Sequence, residues 1–132
     1  MFECNMENVN VMRTILYATS FEDFIDVSYE YELNNISING NSKIIDIGAG
    51  LLHFPKMMKD KYKCILEAIE LSTTRIKKGL SILDISENYF KLHSCLLDTE
   101  FAEKNKNSYD LVTIWHVLEH IENVYEMVNN AF

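Results

Sequence analysis

The sequence predicts an α/β fold in which short buried strands alternate with helices to form a parallel sheet. Three apolar runs carry this prediction, because each is short enough for a strand and each ends in glycine or polar residues. They lie at Lys43–Ile47, Lys63–Glu70 and Asp110–Ile114. Parallel strands need crossover connections, and helix-forming stretches follow these runs.

Length and composition are those of one ordinary globular domain. The 132 residues are 48% hydrophobic and 24% charged, which gives room for a single core. The net charge of -8 argues against a surface built for nucleic acid or anionic lipid. A membrane partner is not expected either, because no apolar run is long enough to span a bilayer. Three cysteines without metal-binding spacing, and no signal-peptide layout, predict a cytoplasmic protein with reduced thiols.

The turn Gly48-Ala49-Gly50 directly follows the first predicted strand. Glycine has no Cβ and tolerates positive φ, so a ligand can lie directly against the backbone of such a turn. Pro55 suits the first turn of the short helix that comes next, where its missing N–H costs nothing. Strand, glycine turn and helix in this order are typical of a nucleotide-binding unit. Asp46, at the mouth of the strand, can face a cationic group of the ligand.

Glu70 closes the second predicted strand, 20 positions after Gly50. In nucleotide-binding folds an acid at about this distance binds the ribose, since one carboxylate can accept both ribose hydroxyls. The alternative is an exposed acid at the end of a strand. Ser72 is a good N-cap for a helix that begins at Thr73, and Gly79 either ends or interrupts that helix.

The last third of the chain holds two more predicted strands. One lies within Phe90–Leu97 in an ambiguous register and is followed by Asp98. The other, Asp110–Ile114, passes into a helix that is expected to run to about Asn129. His116 and His120 would share a face of that helix, but no third ligand is evident and no metal site is predicted.

The first 41 residues are predicted to form a helical cap on a core of residues 42–132. Ser20 and Asp23 have the spacing of a capping box, and apolar residues recur at helical spacing from Phe21 to about Asn34. This helix is expected to cover one face of the sheet.

Three stretches resemble the motifs of the class I S-adenosylmethionine (SAM)-dependent methyltransferases. They are Lys43–Gly50, Ala68–Ser72 and Ser108–Ile121. The last is the most specific, because a Tyr-Asp-apolar strand leads there into His-Val-Leu-Glu-His. The resemblance extends from the first motif to the C-terminus. One departure is Leu52, which stands where many members of the family carry a further glycine.

The resemblance implies that SAM is the cofactor and that a small molecule accepts the methyl group. In such enzymes Glu70 would bind the ribose, Asp98 the adenine amino group, and His116 would face the acceptor as the first candidate for a general base. The implied cofactor-binding residues are Asp46, Gly48, Ala49, Gly50, Glu70, Leu71, Asp98, Thr99 and Trp115.

The family fold is Rossmann-like, with helices flanking a seven-stranded sheet in the order 3-2-1-4-5-7-6. The sequence supplies strands one to four of this sheet and is therefore expected to be C-terminally truncated. Strand four would then be an uncovered edge with unpaired backbone groups, and a homodimer through that edge is expected.

Two other functions stay open at this stage. A non-catalytic module that binds SAM or a partner, or a mere fragment, is favoured by the missing C-terminal half. An NAD-dependent oxidoreductase would share the glycine turn, but Asp46 and the lack of a third glycine at Leu52 disfavour it.

Overall fold

The computed structural model of the chain describes residues 37–131, so the predicted N-terminal helix lies outside the described residues. Strands and helices alternate along the described part, as the sequence predicts. The elements are β1 (Lys43–Ile47), α1 (His53–Tyr62), β2 (Ile65–Ile69), α2 (Thr73–Leu83), β3 (Lys91–His93), α3 (Thr99–Lys104), β4 (Leu111–Ile114), a 3₁₀ turn (Leu118–His120) and α4 (Val124–Ala131).

The four strands form one parallel sheet in the order β3-β2-β1-β4. This confirms the predicted Rossmann-like arrangement of strands one to four. The chain builds outward from β1 to β3 and then returns to the other side of β1. The strand order therefore reverses between β1 and β4, and open α/β sheets bind ligands at the carboxyl ends of the strands beside such a reversal.

Alternating side chains of the strands divide the hydrophobic core between the two faces of the sheet. On one face Ile45, Ile47 and Ile69 pack with Leu97 and Met127. The opposite face buries Ile44 and Leu66, and α1 packs against β2. Helices on both faces explain why the strands read as continuous apolar runs.

Helix α2 begins where the sequence predicts and ends later. The Ser72 hydroxyl accepts a hydrogen bond from the Arg75 N–H at 3.2 Å, which confirms Ser72 as the N-cap. The helix continues to Leu83, so the prediction that Gly79 ends or interrupts it is wrong. Gly79 is buried in the helix instead, and its packing explains why a glycine is present there.

The prediction of a single helix after the last strand is wrong. His116 has a φ of +51°, which is incompatible with a continuous right-handed helix. The chain turns at this residue, forms the 3₁₀ turn Leu118–His120, and starts α4 only at Val124. His116 and His120 consequently do not share a helical face.

A buried carboxylate, Glu67, lies in the middle of β2 with only 4% of its surface exposed. The Tyr109 hydroxyl donates a hydrogen bond to Oε2 at 2.9 Å, and His93 Nε2 lies 2.7 Å from the same oxygen. The ammonium groups of Lys43 and Lys91 approach the two carboxylate oxygens at 3.5 and 3.4 Å. These partners come from β1, β3 and the segment just before β4, so the Glu67 cluster connects β2 to every other strand region of the sheet.

The cluster shifts the titration of its carboxylate. Burial by itself raises the pKa of Glu67, but the hydrogen bonds from His93 and Tyr109 and the two ammonium charges outweigh it. The pKa falls from 4.5 to about 2. A lowered folded-state pKa means that the stabilisation is complete above pH 4.5 and is lost as the pH falls toward 2. The shift corresponds to about 3 kcal/mol at about 1.4 kcal/mol per pH unit.

We expect Glu67→Gln to be less stable than the parent at about pH 6, because the two lysines then lose their counter-charge. The deficit should close toward pH 2.5 or so, where the parent carboxylate is itself becoming protonated. Urea unfolding across this pH range measures the difference. Glu87→Gln, at an exposed position, is the control and should follow the parent throughout. A Glu67→Gln deficit that does not change with pH would contradict the electrostatic account.

Candidate functional site

The carboxyl ends of the strands bring the predicted site residues to one edge of the sheet. The glycine turn follows β1, Glu70 follows β2, and Trp115 with His116 follows β4. Because β1 has β2 and β4 as its two neighbours, the glycine turn lies between the other segments. Asp98 follows the end of β3, on the far side of β2.

The glycine turn is fixed to the end of β2 by two hydrogen bonds. The N–H groups of Gly48 and Ala49 both donate to the Ile69 carbonyl oxygen, at 2.8 and 2.9 Å. Gly48 and Gly50 have φ angles of +73° and +57°, a region that favours glycine. The sequence prediction of a turn that needs glycine is therefore confirmed at both positions.

The two glycines differ in what surrounds them. An ideal Cβ at Gly48 would lie 2.2 Å from Cγ2 of Val117, so packing against the loop after β4 excludes a side chain there. An ideal Cβ at Gly50 would meet no atom of residues 37–131 within 4 Å. The open side of the turn is thus at Gly50, where the backbone is accessible to a ligand.

Glu70 is buried, with 6% of its surface exposed, and the alternative of an exposed strand-end acid is wrong. Its Oε2 accepts a hydrogen bond from the Gly50 N–H, and its Oε1 accepts one from the Ser72 N–H, both at 2.8 Å. One carboxylate therefore joins the glycine turn to the start of α2. Each carboxylate oxygen can accept more than one hydrogen bond, so a ligand hydroxyl can still bind.

Asp46 is almost completely buried in β1, with 2% of its surface exposed. Its Oδ1 accepts a hydrogen bond from the Thr113 hydroxyl at 2.7 Å. Thr113 lies directly opposite in β4, a pairing that the sequence alone did not indicate. Burial raises the pKa of Asp46 from 3.8 to about 7, although the hydrogen bond from Thr113 opposes the shift. The predicted contact with a cationic ligand group stays a prediction.

Leu52 occupies the left-handed conformation, with a φ of +66°, at the N-cap of α1. Glycine would adopt this conformation without strain, which explains why a glycine is favoured at this point of the turn. The Leu52 side chain is fully buried. Burial of this side chain compensates for the backbone strain.

The other predicted cofactor contacts are more exposed. Asp98 is the N-cap of α3, and its Oδ1 accepts a hydrogen bond from the Phe101 N–H at 2.8 Å. Thr99 is exposed in the first turn of the same helix, and Leu71 is exposed beside Glu70. These positions are compatible with the rim of a binding site, and their contacts with a cofactor stay predictions.

The segment after β4 presents an aromatic and a polar side chain. The Trp115 ring packs edge-on against Phe54 of α1, with 4.9 Å between ring centroids. His116 is exposed, and its Nδ1 lies 3.6 Å from Oε1 of Glu119. Within residues 37–131 no three His, Cys, Asp or Glu side chains gather in a way that would hold a metal ion. The assignment of His116 as general base stays a prediction.

A family model described as a methyltransferase domain matches residues 23–132. The match includes the glycine turn, Glu70 and the segment after β4. The chain belongs to this methyltransferase domain family. Comparison with curated protein sequences gives no match. None of the helices in the described part of the chain is both long and apolar enough to cross a membrane.

Several solved structures share the fold of this methyltransferase domain. Phosphoethanolamine N-methyltransferase 2 of Haemonchus contortus, in complex with phosphomonomethylethanolamine and S-adenosylhomocysteine, matches with a TM-score of 0.61 and 14% identity over 74% of this chain. The YcgJ protein of Bacillus subtilis matches with a TM-score of 0.57 and 13% identity over 76%. A SAM-dependent methyltransferase of Archaeoglobus fulgidus matches with a TM-score of 0.56 and 19% identity, also over 76%.

The chain spans less than half of each of these structures, namely 23%, 42% and 44% of their lengths. At identities this low, the structural matches establish a common fold only. They say nothing about substrates, which differ among proteins that share a fold.

The raised pKa of Asp46 predicts that the methyltransferase domain loses stability as the pH rises. A folded-state pKa of about 7 against an ordinary 3.8 means that the stabilisation is complete below 3.8 and is lost as the pH passes 7. Asp46→Asn keeps an acceptor for the Thr113 hydroxyl and removes the titration. The difference in stability between the ligand-free variant and the parent should therefore shift in favour of the variant as the pH is raised from about 5 to about 8.5. Chemical unfolding at both pH values, with Asp84→Asn at an exposed position as control, measures this gain.

Proposed function

We propose that the chain forms the cofactor-binding part of a SAM-dependent methyltransferase that transfers a methyl group to a small molecule. The observation that carries this proposal is the position of the Glu70 carboxylate. It is buried beside the open face of Gly50, bonded to the Gly50 N–H, and belongs to a chain of the methyltransferase domain family.

The residues at this edge of the sheet fit a nucleoside cofactor. Gly50 leaves the volume of a Cβ free where the ligand would approach the backbone. Glu70 has acceptor capacity left for ribose hydroxyls, and Asp98 is exposed beyond β3 for the adenine amino group. Ala49, Leu71, Thr99 and Trp115 would complete the contacts along the same edge.

The cofactor supplies an electrophilic methyl group on a sulfonium centre. The contribution of the protein is orientation, since holding donor and acceptor in attack geometry lowers the barrier by several kcal/mol. Glu70 fixes the ribose end, and ionised Asp46 favours the cationic end by charge. His116, which is exposed at the end of β4, would accept the proton of the methyl acceptor.

A small molecule is the expected acceptor class. The net charge of -8 disfavours nucleic acid as a substrate. The Haemonchus contortus structure of the same fold holds phosphomonomethylethanolamine, a small molecule, together with S-adenosylhomocysteine.

Incubation with radiolabelled SAM and a panel of small amines, alcohols and carbon acids tests whether the acceptor is a small molecule. Cofactor binding without transfer to any acceptor would support the non-catalytic alternative.

Glu70→Ala should weaken binding of S-adenosylhomocysteine by roughly 30- to 1,000-fold, since charge-assisted hydrogen bonds to two hydroxyls are worth about 2–4 kcal/mol together. The variant should also lose stability by about 1–3 kcal/mol, because the Gly50 and Ser72 N–H groups lose their acceptor. Calorimetric titration and urea unfolding measure the two effects.

Glu87→Ala, which removes an exposed acid, is the matched control and should leave both quantities unchanged. Titration of the parent with NAD distinguishes an NAD-dependent oxidoreductase from the proposed SAM-dependent methyltransferase. Tight binding of NAD without binding of S-adenosylhomocysteine would overturn the proposed cofactor.

We also propose that the chain forms a homodimer through β4, which is an edge of the described sheet. Backbone N–H and C=O groups on an edge strand readily pair with a second strand. Light scattering over a dilution series should detect the dimer. Leu111→Lys should weaken it, because lysine side chains on edge strands oppose pairing. A parent that stays monomeric at high concentration would contradict this proposal.

A further inference from the structure

Gly79 lies within α2, and the backbone of the glycine turn comes unusually close to it. An ideal Cβ on Gly79 would lie 2.5 Å from the Leu51 carbonyl oxygen, 2.8 Å from its carbonyl carbon and 3.2 Å from its Cα. All three are backbone atoms, which cannot move aside by a change of rotamer. A side chain at position 79 would therefore require the helix or the turn to shift.

Conformational freedom does not explain a glycine here. The glycines with positive φ in the described chain are Gly48 and Gly50, whereas Gly79 has ordinary helical geometry. Glycine inside a helix is less favourable than alanine by about 0.5–1 kcal/mol. The close approach to Leu51 is the physical reason why the smaller residue is needed.

Leu51 connects the two parts of the turn that matter for ligand binding. Before it, the Gly50 N–H donates to Glu70. After it, Leu52 adopts the left-handed conformation that starts α1, and its N–H donates to the Ala49 carbonyl oxygen at 2.9 Å. A displacement of the Leu51 backbone would disturb both neighbours.

Helix α2 supports the turn at a second point as well. Its N-cap residue, Ser72, donates its N–H to the same Glu70 carboxylate that accepts from Gly50. The start of α2 is thus linked to the turn through hydrogen bonds, and its middle is in direct backbone contact with the turn at Gly79. Two contacts of different kinds fix the position of one element relative to the other.

We propose that Gly79 is a positioning residue for cofactor binding. By lacking a side chain it lets α2 lie directly against the Leu51 backbone, which holds the Gly50 N–H and the Glu70 carboxylate in place. This inference rests on the proposed function, since it concerns the same site, but Gly79 itself does not touch the ligand.

The test compares Gly79→Ala with Gly40→Ala, which makes the same chemical change elsewhere. An ideal Cβ on Gly40 would lie 3.6 Å from the Lys63 carbonyl oxygen, an ordinary contact. Calorimetric titration with S-adenosylhomocysteine should give a loss of affinity of about tenfold or more for Gly79→Ala. Gly40→Ala should bind like the parent.

A ligand-free measurement separates positioning from general destabilisation. Amide hydrogen exchange followed by NMR should be faster at Gly50 in Gly79→Ala, because its bond to Glu70 is disturbed. Met127→Ala, which removes a buried side chain from the opposite face of the sheet, provides a globally destabilised control with the affinity of the parent. If Gly79→Ala is only partly folded, an osmolyte that favours the folded state is added to all samples.

The outcomes distinguish this inference from the proposed function. A parent that does not bind S-adenosylhomocysteine overturns the proposed cofactor, and Gly50 exchange still tests the role of Gly79. A parent that binds, with Gly79→Ala within about twofold of it and unchanged exchange at Gly50, overturns the positioning role. Equal losses of affinity in Gly79→Ala and Met127→Ala also overturn it, since stability alone would then explain the loss.

Discussion

The hydrogen bond between the Glu70 carboxylate and the Gly50 N–H is the interaction on which the site depends. It fixes the glycine turn over the end of β2, and through the second carboxylate oxygen it fixes the start of α2. The turn and the helix cannot move independently while this carboxylate is in place. A buried anion with two backbone donors is strongly held, because hydrogen bonds to a charged acceptor exceed neutral ones in strength.

Burial raises the pKa of two acids of the same sheet, but their partners give opposite net shifts. Asp46 has one neutral donor, Thr113, and burial raises its pKa to about 7. Glu67 has two donors and two cations, and its pKa falls to about 2. The difference lies in their partners, since Glu67 is compensated by the protein itself. Asp46 lacks a cationic partner among the described residues, which is the situation expected of an acid whose counter-charge arrives with a ligand.

The sequence predicted the strands, the glycine turn and the position of Glu70 at the end of β2, because each is encoded locally. Apolar runs, glycines and the spacing from Gly50 to Glu70 can be read without knowing which residues meet in space. Contacts across the sheet could not be read in this way. The pairing of Asp46 with Thr113 depends on strand register, and the contact of Gly79 with Leu51 depends on the angle at which α2 crosses the turn. The prediction of one helix over His116 was wrong. The apolar residues there have helical spacing, but this spacing does not reveal the positive φ at which the chain turns.

Three departures from local preference lie in or near the loop between β1 and α1. Leu52 holds a left-handed conformation that is unfavourable for a residue with a side chain. Gly79 weakens its own helix, and Asp46 is an acid in a buried strand. Each is unfavourable where it stands. Leu52 lies in this loop, Gly79 lies against Leu51, and Asp46 is in β1 two residues before Gly48. A protein selected for stability alone would relieve such features, because substitutions that do so are readily available. Their position in and beside Gly48–Leu52 is what a site shaped for a ligand is expected to produce.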